Sequence, residues 1–79
     1  MERITSRQNK IVRDAAALLG SPEERRRRKG FLCEGARLCE DAARSGVEVL
    51  RCFVTQQAME KYARYVEPVL AVSRESYLV

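Results

Sequence analysis

Apolar residues recur at helical spacing near the start of the chain, at Ile4, Ile11, Ala15 and Leu18, with Val12 and Leu19 widening the stripe. That period predicts an amphipathic helix over about residues 6–19, stopped at Gly20. Arg7, Lys10 and Arg13, spaced by three, fall off the stripe and share a solvent-facing side of that helix. Ser21-Pro22-Glu23-Glu24 then reads as a helix start: a hydroxyl cap, Pro in the first helical position, and Glu three residues after the cap to close a capping box. The short second helix carries five consecutive cations, Arg25, Arg26, Arg27, Arg28 and Lys29, and Gly30 is its expected stop.

Beyond Gly30 the pattern shortens. Phe31-Leu32-Cys33 predicts a brief buried strand, followed by a turn at Glu34-Gly35. Leu38, Cys39, Ala42 and Ala43 supply the apolar side of a helix over about residues 36–45, ended by Gly46. Val49 to Val54 predicts the clearest strand. Thr55 caps a further helix running to about Tyr65, with Ala58, Met59, Tyr62 and Val66 at helical spacing and Pro68 at its exit. Val69 to Val72 reads as a third strand. Ser73 to Ser76 resembles another cap and first turn, which predicts that the natural protein continues past Val79. Strands alternating with helices of this length imply right-handed βαβ crossovers. The expectation is one three-layer α/β domain, with a parallel-rich sheet of about three strands flanked by helices. Residues 1–30 form its N-terminal helix and basic segment, and residues 31–79 its βαβαβ part.

Charge sharpens this picture because it is unevenly placed. Residues 1–29 hold nine Lys or Arg against four Asp or Glu, a net of +5, while residues 30–79 hold six against seven, a net of −1. A basic first third points to a polyanionic partner. Nucleic acid ranks ahead of a membrane surface, because no strong apolar face accompanies the basic run. Guanidinium forks suit phosphate oxygens and give salt-sensitive, sequence-independent affinity. Asn9 is either an amide that reads a base edge or, more commonly, a first-turn residue whose side chain bonds the backbone. Tyr62, Tyr65 and Tyr77 could stack on bases, but packing is the default for aromatics at helical or terminal positions.

Other chemistries find little support. There is no His, no Gly-rich phosphate loop and no GxGxxG. Glu40 and Asp41 are adjacent on the predicted helix and point in different directions, so they read as solvated surface. Cys33, Cys39 and Cys52 are odd in number and lack Cys-x-x-Cys spacing, which leaves buried, reduced thiols as the expectation. No apolar stretch approaches the roughly 20 residues of a membrane span, and the N-terminus lacks an apolar signal core, so a cytoplasmic address without a membrane partner is expected.

The order of fragments resembles a known family. Ile4 to Arg13, then Arg25 to Gly30, then Phe31 to Leu38 is similar to the opening of the SpoU-type (TrmH family) RNA 2′-O-ribose methyltransferases: an Ile-x-Ser-x-x-Asn helix, a basic segment, and a strand ending in Glu-Gly-x-Arg. The resemblance spans essentially all 79 residues. It implies a substrate-binding domain, similar in fold to a kink-turn-binding ribosomal protein, ahead of a knotted SPOUT catalytic domain that binds S-adenosylmethionine and dimerises. Ser6, Asn9 and Lys10 match the family's helix motif, and Glu34, Gly35 and Arg37 match its turn. Cys33 departs from the aliphatic residue that the family commonly carries there.

The expected function is therefore an RNA-binding module, not catalytic as an isolated chain, that positions ribosomal or transfer RNA for ribose 2′-O-methylation by a domain downstream. Its expected RNA-facing set is Arg7, Asn9, Lys10, Arg13, Arg25, Arg26, Arg27, Arg28, Lys29, Glu34, Gly35 and Arg37, with no metal and no cofactor in this chain. The rivals are a protein-interaction or dimerisation domain with a solvated basic run, and, third, a small free-standing enzyme.

Overall fold

A computed structural model describes residues 1–79. The chain begins with a two-residue strand, β1 (Glu2–Arg3), and continues through α1 (Lys10–Gly20), α2 (Pro22–Arg28), α3 (Ala36–Arg44), β2 (Arg51–Val54), α4 (Gln56–Lys61), α5 (Ala63–Val72) and β3 (Glu75–Leu78). The three strands form an all-parallel sheet in the order β1-β3-β2. β3, the last strand in sequence, is therefore central. Its Tyr77 lies opposite Glu2 on one side and Phe53 on the other.

Alternation along the strands sorts the two faces. Phe53 and Tyr77 point the same way and stack with ring centroids 5.6 Å apart. Arg51 and Glu75 pair at 3.4 Å on that same face. α1 lies over it: Val12, Ala15 and Leu19 line one groove with Ile4 and Phe53. The opposite face carries Val54, and α5 packs there with α3 alongside. This gives the expected three layers, helix, sheet, helix. The core is thin, comprising Ile4, Ala43, Val54, Val66, Val69 and Tyr77. No helix is long and apolar enough to cross a membrane.

Several local expectations are corrected. Phe31-Leu32-Cys33 forms no strand, and Phe31 is 65% exposed; three apolar residues make a strand only where a neighbour offers its free backbone groups, and here none pairs with them. Val69 to Val72 is the end of α5 and not a strand. Pro68 sits inside that helix, although an interior Pro costs about 3 kcal/mol. Burying Val66 and Val69, one turn apart, returns about 1.5–3 kcal/mol each, enough to outweigh it. The break in the helix falls earlier, at Tyr62, which leaves helical geometry (φ −122°, ψ 32°) and separates α4 from α5. Ser73 to Ser76 is not a helix start: Ser73 closes α5, its hydroxyl donating to the Val69 carbonyl, and β3 follows at once. Ile4 belongs to the sheet, its N–H donating to Leu78 at 2.8 Å, and not to the stripe of α1. Leu38 points outward at 59% exposure, leaving Ala43 as the buried contact of α3.

Candidate nucleic-acid interface

α1 starts at its capping residue and not earlier. Ser6 Oγ accepts from the Gln8 N–H, a turn closes from Asn9 N–H to the Ser6 carbonyl, and Asn9 Oδ1 then accepts from Ile11 N–H at 2.8 Å. Asn9 thus spends its carbonyl oxygen on the N-cap. Arg7 lies in this turn, outside the helix, so it does not share a helical face with Lys10 and Arg13. It borders the groove between α1 and the sheet instead.

Ser21 caps α2 as expected, accepting from Glu24 N–H at 3.1 Å. The reciprocal half of the capping box is absent. The Glu24 carboxylate turns outward to Arg27 at 2.7 Å and Arg28 at 2.9 Å, and those guanidinium groups hold its pKa down at about 2. The helix ends one residue before the expected stop, with Lys29 taking the left-handed position (φ 55°) and the N–H groups of Lys29 and Gly30 both donating to the Arg25 carbonyl.

The five-cation run is consequently not uniform. Arg25 folds back, donating to the Leu18 carbonyl at 2.7 Å and the Leu19 carbonyl at 3.2 Å, where the C-terminal end of α1 favours positive charge. Arg28 also reaches Asp14 of α1 at 3.7 Å, and Asp14 holds Lys10 at 2.8 Å. The hydrogen bond from Lys10 is the main reason the Asp14 carboxyl titrates below its usual range. Lys10, Asp14, Arg28, Glu24 and Arg27 form one chain of contacts that fastens α2 to α1. Arg7, Arg13, Arg26 and Lys29 are exposed and have no carboxylate partner. With Arg3 of β1, likewise exposed and without a carboxylate partner, they are the cations of the first third left free to meet phosphate.

Glu34, Gly35 and Arg37 lie elsewhere, at the start of α3 in the layer across the sheet from α1. Gly35 has φ +97°, a conformation that L side chains rarely adopt, and a Cβ there would meet nothing within 4 Å. Backbone geometry, and not a close approach by another protein segment, is what requires glycine. Gly35, Arg37 and Leu38 line a cleft of about 490 Å³ with Ala58, Tyr62 and Tyr65. α1 and α4 each start just beyond the carboxyl end of a parallel strand, and this cleft brings the start of α3 beside α4. Arg7 and Asn9 stand at the start of α1 and Gly35 and Arg37 at the start of α3, in different layers of the domain. Of the three tyrosines for which packing was the default, Tyr77 is buried at 4%, whereas Tyr62 is 44% exposed on the cleft's wall, a difference the sequence did not separate.

The three thiols are free and half-buried. Burial pushes the Cys39 thiol up to about 11, and raises that of Cys52.

Fold and surface together define a small three-layer α/β binding module with a basic flank. Residues 9–78 match the family model of the MRM3-like substrate binding domain, and the chain belongs to that family, a substrate-binding domain of RNA methyltransferases of the SpoU type. No curated protein and no solved structure matches the chain.

Proposed function

We propose that this domain binds structured ribosomal or transfer RNA and positions it for ribose 2′-O-methylation by a SpoU-type catalytic domain of the same protein. The observation that carries the reading is the set of exposed, unpaired cations Arg7, Arg13, Arg26 and Lys29 on and beside the α1–α2 pair. Each is free to replace a counterion on a phosphate, so binding releases ions and falls with salt. S-adenosylmethionine and the dimer contact belong, in this proposal, to the catalytic domain. This chain's own residues orient RNA and take no part in the transfer.

The test is binding of the chain to labelled ribosomal RNA fragments and to duplex DNA across a salt series. Structured RNA binds more tightly, and the Arg26→Ala, Lys29→Ala double variant lowers the slope of log affinity against log salt by roughly 1.5. Equal weak binding to both polymers, with an unchanged slope in the variant, sinks the proposal and favours a protein-docking role.

A further inference from the structure

The cleft at the start of α3 has features that phosphate binding leaves unused. Leu38 is 59% exposed and Tyr62 44% exposed on its walls. The hydroxyls of Tyr62 and Tyr65 donate to no protein group, whereas that of Tyr77 donates to Glu75 at 2.7 Å. Arg37 lines the cleft, Lys61 and Arg64 adjoin its Tyr62 and Tyr65 in sequence, and all three are exposed and pair with no carboxylate. The Arg64 guanidinium lies 5.3 Å over the Tyr65 ring. α3 opens beside the cleft without a side-chain cap, so its first N–H groups lack a partner from Gly35. Glu34, one residue before, is exposed and unpaired.

We propose that this cleft holds one unpaired nucleobase of the RNA, with Tyr62 and Leu38 against the base and Arg37, Lys61 and Arg64 on the phosphates flanking it. A phosphate alone would leave Leu38 and Tyr62 in water. An apolar protein side chain would leave three cations without counter-charge. A nucleotide carries both an apolar π-face and an adjoining negative charge, and it satisfies both halves of the site. Glu34 supplies the acceptor that a base amino group or a 2′-hydroxyl of that nucleotide needs. The inference rests on the RNA-binding reading and narrows it: the recognised element contains an unstacked nucleotide beside a duplex, the duplex backbone meeting the α1–α2 cations.

Two RNA hairpins with one stem sequence decide it, one with a single unpaired 2-aminopurine in the stem and one with that base paired. Affinity is read from an end label and stacking from 2-aminopurine fluorescence. The chain prefers the unpaired form by roughly tenfold, a value typical of one stacked base, and quenches its fluorescence. Tyr62→Ala removes both the preference and the quench while leaving affinity for the paired hairpin unchanged, and Tyr62→Phe keeps both. If circular dichroism shows that Tyr62→Ala has unfolded, Leu38→Ala, at a still more exposed position, replaces it with the same expectation. Preference and quench that survive these substitutions overturn the base site, leaving the RNA-binding reading intact and the cleft to a protein side chain. Failure of the unsubstituted chain to bind either hairpin overturns the RNA-binding reading and this inference with it.

Discussion

Arg25 Nη1 donates to the Leu18 carbonyl oxygen at 2.7 Å, so the first of five consecutive cations closes the end of the preceding helix. The contact fixes α2 against the tail of α1, and the remaining four cations take their positions from that anchor.

A split between stability and affinity follows. Arg25→Ala strands two carbonyls at a helix end and lowers unfolding free energy by about 1 kcal/mol, a fall in Tm of roughly 4–8 °C for a domain of this size. Arg26→Ala, with no internal partner, changes stability by less than about 0.5 kcal/mol and lowers RNA affinity instead. Thermal unfolding of the two variants by circular dichroism checks the pair; equal stability losses would mean that the Arg25 contact holds nothing.

Lys29 separates backbone from charge at one position. A non-glycine residue in the left-handed region costs roughly 1 kcal/mol, so Lys29→Gly stabilises the domain by about 0.5–1 kcal/mol while weakening RNA binding and reducing its salt slope. A destabilised Lys29→Gly chain in urea titration would refute the capping geometry.

Glu24 gives a pH signature. Its carboxyl is held at about 2, first by the hydrogen bond from Arg27 and then by that from Arg28, against an ordinary value of 4.5. A depressed folded-state pKa contributes stability above the unfolded value, and the contribution is lost as pH falls from about 4.5 towards about 2. The carboxylate is half-buried at the surface and still in reach of solvent ions, so high salt weakens the effect. A carboxyl NMR titration of Glu24 has its midpoint near 2, and Arg27→Ala with Arg28→Ala returns it towards the ordinary value.

Cys39 and Cys52 are held as thiols. With Cys39 raised to about 11 by burial first and Cys52 also raised, little thiolate is present at pH 8, and the thiolate is the reacting form. Both sites label slowly with a disulfide reagent under native conditions and rapidly in denaturant. Rapid native labelling at either one would show that it is not enclosed.

The thin core makes its members sensitive. Val69→Ala removes two buried methyl groups and leaves a void, costing about 2 kcal/mol. Val72→Ala, one turn further and 50% exposed, costs less than about 0.5 kcal/mol. Urea unfolding of both variants measures the difference, and similar losses would contradict the placement of α5.

Several features were readable from the residues alone, because local chemistry governs them. Ser21-Pro22 starts a helix by cap and ring geometry, Gly46 ends one, and Val49 to Val54 is strand-forming wherever it sits; the observed α2, α3 and β2 follow within a few residues. The family resemblance was equally local, and residues 9–78 match a model of that family. Tertiary structure alone decided the rest. Glu75 to Leu78 is a strand only because Arg51 to Val54 and Glu2 to Arg3 lie on either side of it, partners at long sequence separation. Pro68 stays within a helix because Val66 and Val69 are buried beneath it. Which cations are free is likewise a matter of neighbours: Asp14 and Glu24 take up Lys10, Arg27 and Arg28, and a helix end takes up Arg25. A row of charges specifies how much attraction is available, but where that attraction points depends on the groups that folding brings within a few ångströms.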